Sequence, residues 1–288
     1  MPSNALPHST RITDRALTAL TALTALAAGA ATLIVAFVAA PRVLASAWSG
    51  RSFGNQDELV AVVREAFVDY WASGESGLSP QLHAVTDYWA RYHVVKAVIA
   101  ALTLATVVAF GILLAKKPAV SGDLGPGRRT VRAGAGVLAA ILAVVSVAAL
   151  MANIQGAVAP FSSLLSLLPI GERGGDLPDI VGQIGQQFAD GQWTPPLAAM
   201  IDDFARYHAA MGVIAGCAAA ILLASSALSW TRFVRAGESD RQARRTPDLV
   251  GVFSTVMSLA LIVVAAANAG TAADPAPALA AFFDGGVL

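Results

Sequence analysis

Five long apolar stretches, near 16–40, 94–115, 131–153, 208–229 and 248–269, alternate along the chain with shorter polar ones. A bilayer core about 30 Å thick takes roughly 20 helical residues to cross, and each stretch is long enough. Lipid offers no partner to an unpaired backbone amide, so each must be a helix. The pattern predicts an all-α polytopic membrane bundle with five transmembrane helices.

Between the spans the periodicity changes. Asn55 followed by Glu58 reads as a capping box, and Leu59, Val63, Phe67 and Trp71 recur every four residues up to Gly74. This predicts an amphipathic helix over 57–72, with Glu58, Glu65 and Asp69 in water and the aromatics in the headgroup layer. Ser79-Pro80 supplies an N-cap and a first-turn proline, and nothing breaks the helix from there to Leu114. Its first turns therefore stand in or above the outer interface, carrying Asp87, Arg91 and His93. The first span should end at Pro41, with one or two interfacial turns over Arg42 to Trp48.

The same pattern then restarts. Asp87-Tyr88-Trp89-Ala90-Arg91-Tyr92-His93 returns 115 positions on as Asp202-Asp203-Phe204-Ala205-Arg206-Tyr207-His208, and Pro80 returns as Pro195. Asn153 and Pro160 return at the same offset as Asn268 and Pro275. An internal parallel duplication follows from this, with the first, third and fifth spans running outward. The expected organisation is a cytoplasmic tail at 1–15, a first membrane repeat with outer helices at 16–115, and a cytoplasmic connector at 116–130. A second repeat follows at 131–229, a second connector at 230–247, and a fifth span with a short outer helix at 248–288.

Charge sets the orientation. Lys116, Lys117, Arg128, Arg129 and Arg132 crowd one connector, and Arg232, Arg235, Arg241, Arg244 and Arg245 the other, so both belong in the cytoplasm. The stretch 154–205 is acidic and belongs outside, which places the N-terminus in and the C-terminus out. Ala45-Ser46-Ala47 resembles a signal-peptidase site, but the apolar run before it is about 25 residues long and is expected to be retained as a span. Richness in Ala, Val, Leu and Arg over Lys and Asn points to a GC-rich bacterial genome, and the expected location is then the bacterial plasma membrane.

Composition agrees: 56% of residues are hydrophobic and only 13% charged, so the chain falls in the membrane class. Net charge is +0, which leaves no footprint for nucleic acid. The lone Cys217 excludes an internal disulfide and reads as a small buried hydrophobe. The expected partners are the lipid bilayer and either another membrane protein or a second copy of the chain. The sequence does not identify a cofactor.

Two readings of the repeated polar motif stay open. In one, Trp89, Tyr92 and His93 form an interfacial belt, while Asp87 with Arg91 and Asp202 with Arg206 are ion pairs on helix faces, contributing about 0–1 kcal/mol when exposed. In the other, His93, His208, Asp87 and Asp202 are catalytic, and Arg91, Arg206, Asn153, Asn268 and Trp89 bind a ligand in an outward-facing pocket. Histidine and aspartate are suitable metal donors, but the two histidines lack local ligand spacing, so no metal is assigned. His83, matched by Ala198, reads as surface. No Asp or Glu lies in a membrane core, which argues against an ion-coupled transporter. Phosphate-loop, GxSxG and HExxH motifs are also missing.

Asn153 near the end of a span, Pro160 after it, and Trp89, His93 and Lys96 at a helix start together resemble the small four-helix membrane family that includes the anthrone oxygenase-like proteins. The resemblance implies oxygenase chemistry. This chain departs from the family in its five spans, in Phe204 where Trp89 would recur, and in Ala209 and Ala210, with no cation, following His208. The primary expectation is a structural or partner-binding membrane subunit presenting outward-facing helices. The alternative is a membrane-embedded oxidoreductase or oxygenase acting on an apolar small molecule near the outer leaflet.

Overall fold

A computed structural model describes residues 8–116, 126–172, 174–235 and 241–285. Among these residues there are nine helices and no strand: α1 (His8–Ser49), α2 (Gln56–Ser73), α3 (Pro80–Ala115), α4 (Pro126–Val158), α5 (Pro160–Leu165), α6 (Leu177–Asp190), α7 (Pro195–Arg235), α8 (Arg241–Ala273) and α9 (Ala276–Phe283). Segments of α1, α3, α4, α7 and α8 are long and apolar enough to cross a membrane. The protein is an all-α, multi-pass membrane protein. Residues 1–7 of the expected tail, and the connector positions 117–125 and 236–240, lie outside the described residues.

Prolines open α3, α4, α5 and α7, where the missing N–H would have had no intrahelical partner anyway. Ser79 Oγ accepts from Leu82 N at 3.2 Å as the N-cap of α3. Pro41 behaves differently from expectation. It lies inside α1, which continues to Ser49, so the loss of one i→i−4 hydrogen bond does not end the helix. Threonines in α1 bond back as their type allows, Thr21 to Leu17 O at 2.9 Å and Thr24 to Leu20 O at 3.0 Å.

The chain divides into two compact units, Met1–Ala47 with Tyr92–Asn153, and Trp48–Arg91 with Ile154–Leu288. In the first, Ala30 of α1, Val107 of α3 and Ala139 of α4 form the core, with Phe110 and Leu142 packed against it. Small residues let these backbones come close, which is how spanning helices associate when lipid is as apolar as their side chains. Arg132 Nη2 donates to Leu114 O, and to Lys116 O at 3.2 Å, so a cation closes the C-terminal end of α3.

In the second unit α7 and α8 lie antiparallel and are joined by polar contacts. Ser226 Oγ is 2.7 Å from Thr255 Oγ1, Ser258 Oγ donates to Ala219 O at 3.0 Å, and a Cβ on Gly212 would meet Ala265 O at 3.5 Å. Cys217 is exposed on α7 rather than buried, because it lies off the face that carries Gly212, Ala215 and Ala219.

Helix α2 forms as its pattern predicts, with Asn55 Oδ1 accepting from Glu58 N at 2.8 Å and Gly74 ending it at φ 69°. The reciprocal bond is shifted by one residue, since Glu58 Oε2 accepts from Gly54 N at 2.6 Å. Its aromatic face does not enter the headgroups. Phe67, Tyr70 and Trp71 are buried, Tyr70 Oη donates to Pro196 O at 3.0 Å, and Trp71 Nε1 donates to Gln183 Oε1 at 2.9 Å.

Burial, with Asp203 as a smaller cause, pushes the Tyr70 hydroxyl up from 10.0 to about 12. The folded protein therefore favours the neutral phenol. The stability this provides is complete below pH 10 and is lost as pH rises towards about 12, on the order of 2 to 3 kcal/mol in all. Tyr70→Phe should cost about 1 kcal/mol at pH 7, where it strands Pro196 O, and should lose less than wild type between pH 10 and 12. Detergent unfolding curves across that range check this, and parallel pH profiles would contradict it.

Candidate functional site

The repeated motif stands on α3 and α7, where long unbroken helices fix the height of each polar side chain. Its histidines each reach across to the next spanning helix. His93 Nδ1 lies 2.9 Å from Asn153 Oδ1 of α4, and His208 Nδ1 lies 2.8 Å from Asn268 Oδ1 of α8. Both pairs are 60 residues apart in sequence.

The network assigns the tautomer. Asn153 Nδ2 donates to Ala149 O at 2.7 Å, and Asn268 Nδ2 donates to Val264 O at 2.9 Å, so the amide oxygen of each faces the imidazole. An acceptor there requires the proton on Nδ1, and the neutral ring's lone pair is then on Nε2. His208 Nε2 is buried and has no hydrogen-bond partner among the described residues. Phe204 stacks edgewise on the same imidazole at 4.5 Å. A buried acceptor in such surroundings can take a ligand's hydrogen-bond donor.

Of the two expected ion pairs, the first forms. Arg91 Nη2 is 2.9 Å from Asp87 Oδ2, with both side chains partly exposed. Arg91 also donates through Nη1 to Trp48 O at the end of α1 and lies 5.2 Å over the Trp48 ring. The second pair is corrected. Arg206 binds Asp203 at 2.8 Å, not Asp202, which is exposed. Spacings of three and four both bring helix side chains together, and burial decides between them. Asp203 occupies the position matching Tyr88, and both are buried.

Asp203 is a structural anchor that sequence reasoning passed over. Its Oδ2 accepts from Ser162 N and Ser162 Oγ, both at 2.8 Å, which holds the first turn of α5 against α7. The available signal was its place on the same face as Leu197, Met200 and Phe204, all buried. Gln155 was passed over too, and its Nε2 donates to Tyr207 O at 3.2 Å.

Trp89 Nε1 donates to Ser163 Oγ of α5 at 3.0 Å. Lys96, one turn beyond His93, sits over the rings of Phe37 at 4.6 Å and Tyr92 at 5.4 Å. His83 is exposed, in keeping with a surface role. No group of three or more potential metal ligands occurs among the described residues. Each histidine's described partner lies in its own unit, His93 with Asn153 and His208 with Asn268. No protein-family model matches the chain, and no curated protein and no solved structure matches it.

Proposed function

We propose that the protein is a structural or partner-binding subunit of a bacterial plasma membrane, built from a duplicated helical unit. Its N-terminus and basic connectors lie in the cytoplasm, and α2, α5, α6 and α9 present a surface outside. The observation that carries this reading is how the polar residues are used. The same imidazole–amide bond joins two spanning helices twice, 115 residues apart and with the same 60-residue separation. The carboxylate of Asp203 is likewise committed to Ser162. Groups used this way hold helices in register rather than act on a substrate.

Extraction from the native membrane in mild detergent, followed by native mass spectrometry, tests the subunit role. A companion or a second copy at fixed stoichiometry is the expected result, and a homogeneous lone chain sinks the reading.

One observation favours the alternative of an oxidoreductase or oxygenase acting on an apolar small molecule: the lone pair of His208 Nε2, buried and without a partner among the described residues. It adds to the resemblance to the anthrone oxygenase-like family carried by Trp89, His93, Lys96, Asn153 and Pro160. Metal analysis and a visible spectrum of the purified protein test it. A bound chromophore lost in His208→Ala, with expression unchanged, supports the enzyme, and a colourless, metal-free protein opposes it.

A further inference from the structure

Within the first unit, α1, α3 and α4 leave an apolar cavity of about 250 Å³ between them. Ala27, Ala31 and Ile34 of α1, Phe110 of α3, and Ala135 and Leu138 of α4 line it. Small side chains on two of the three helices leave the space between the backbones unfilled. The space is far too narrow for another helix, whose diameter is about 10–12 Å with side chains. Ala31 and Leu138 are exposed, so the groove opens towards the surroundings of spanning helices, where acyl chains are the abundant apolar occupant.

The polar end of the occupant follows from charge. Arg132 and Arg129 precede Ala135 on α4 by three and six residues, and Lys116 follows Phe110 on α3 by six, so these cations stand about 5 to 9 Å beyond the groove at one end. The hydrogen bonds from Arg132 to Leu114 O and Lys116 O bring the two helix ends together there. Arg129 and Lys116 are exposed.

We infer that this groove is a binding site for one anionic phospholipid, with an acyl chain between α1, α3 and α4 and the phosphate at Lys116, Arg129 and Arg132. Basic residues between spanning helices recognise anionic headgroups in this manner. The inference needs the helices to cross a bilayer, but it does not depend on the subunit role.

The test uses the full chain, purified in mild detergent and incubated with equal amounts of phosphatidylglycerol and phosphatidylcholine, and native mass spectrometry counts what stays bound. Wild type should retain one phosphatidylglycerol with a preference of about tenfold or more, since each nearby cation strengthens the attraction severalfold. Lys116→Gln with Arg129→Gln should bring the preference close to parity, because both lie off the packed core. Ala31→Trp fills the groove from its exposed side and should reduce retention of both lipids. Equal retention by wild type overturns the site, as does a preference that survives the double substitution or retention unchanged in Ala31→Trp.

Discussion

Asp203→Ala should destabilise the protein by about 3 kcal/mol, whereas Asp202→Ala, one residue away, should change stability by less than about 0.5 kcal/mol. Asp203 is 6% exposed and accepts two hydrogen bonds from Ser162, one from the backbone and one from the hydroxyl. Deleting the carboxylate leaves both donors buried without a partner, and bonds to a charged acceptor contribute about 1.5 to 3 kcal/mol. The Arg206 contact adds little, since that guanidinium is mostly exposed. Asp203→Asn should fall between the two alanine variants, because an amide oxygen can still accept from Ser162 N. Unfolding free energies from mixed-detergent titration separate the three. Equal losses at 202 and 203 would return Asp202 to the pairing that its place in the repeat suggests.

The contrast between these neighbours shows what a sequence can express. Repetition identified the motif, and the 115-residue offset aligned Asp202 with Asp87. Yet the offset transfers position, not environment. Asp87 reaches Arg91 across four residues, while Asp203 reaches Arg206 across three from a position where the first copy has Tyr88. The five spans were legible because lipid imposes a minimum apolar length, and the ends of α2 and α3 because Asn55, Gly74 and Ser79-Pro80 carry local signals. The destination of the aromatic face of α2 was not legible. A four-residue apolar stripe looks the same whether it meets headgroups or protein, and only the hydrogen bonds of Tyr70 and Trp71 to Pro196 and Gln183 reveal protein. Pro41 misled for a related reason: a proline costs one helical hydrogen bond, and a helix surrounded by apolar solvent has nowhere better to put the rest.

The histidines extend the same point from stability to role. Asn153 and Asn268 were legible near the C-terminal ends of their spans, but a helical wheel does not say which neighbour a face meets. The observed pairing predicts a specific order of costs in the second unit. Asn268→Leu removes the acceptor and leaves His208 with Nδ1–H unpaired in addition to Nε2. His208→Phe strands Asn268 Oδ1, but it also removes the Nε2 that has no partner among the described residues. Asn268→Leu should therefore be the costlier change, at about 2 to 3 kcal/mol, with His208→Phe nearer 1. The double variant should cost less than the sum by about 0.6 to 1.7 kcal/mol, the range found for hydrogen bonds between spanning helices. The His93–Asn153 pair should show coupling of the same sign, because Asn153 is likewise fixed by its bond to Ala149 O. A mixed-detergent unfolding cycle measures all four variants of each pair. Strict additivity would mean that the imidazole and the amide do not hold each other, and both histidines would then be available for chemistry rather than for joining helices.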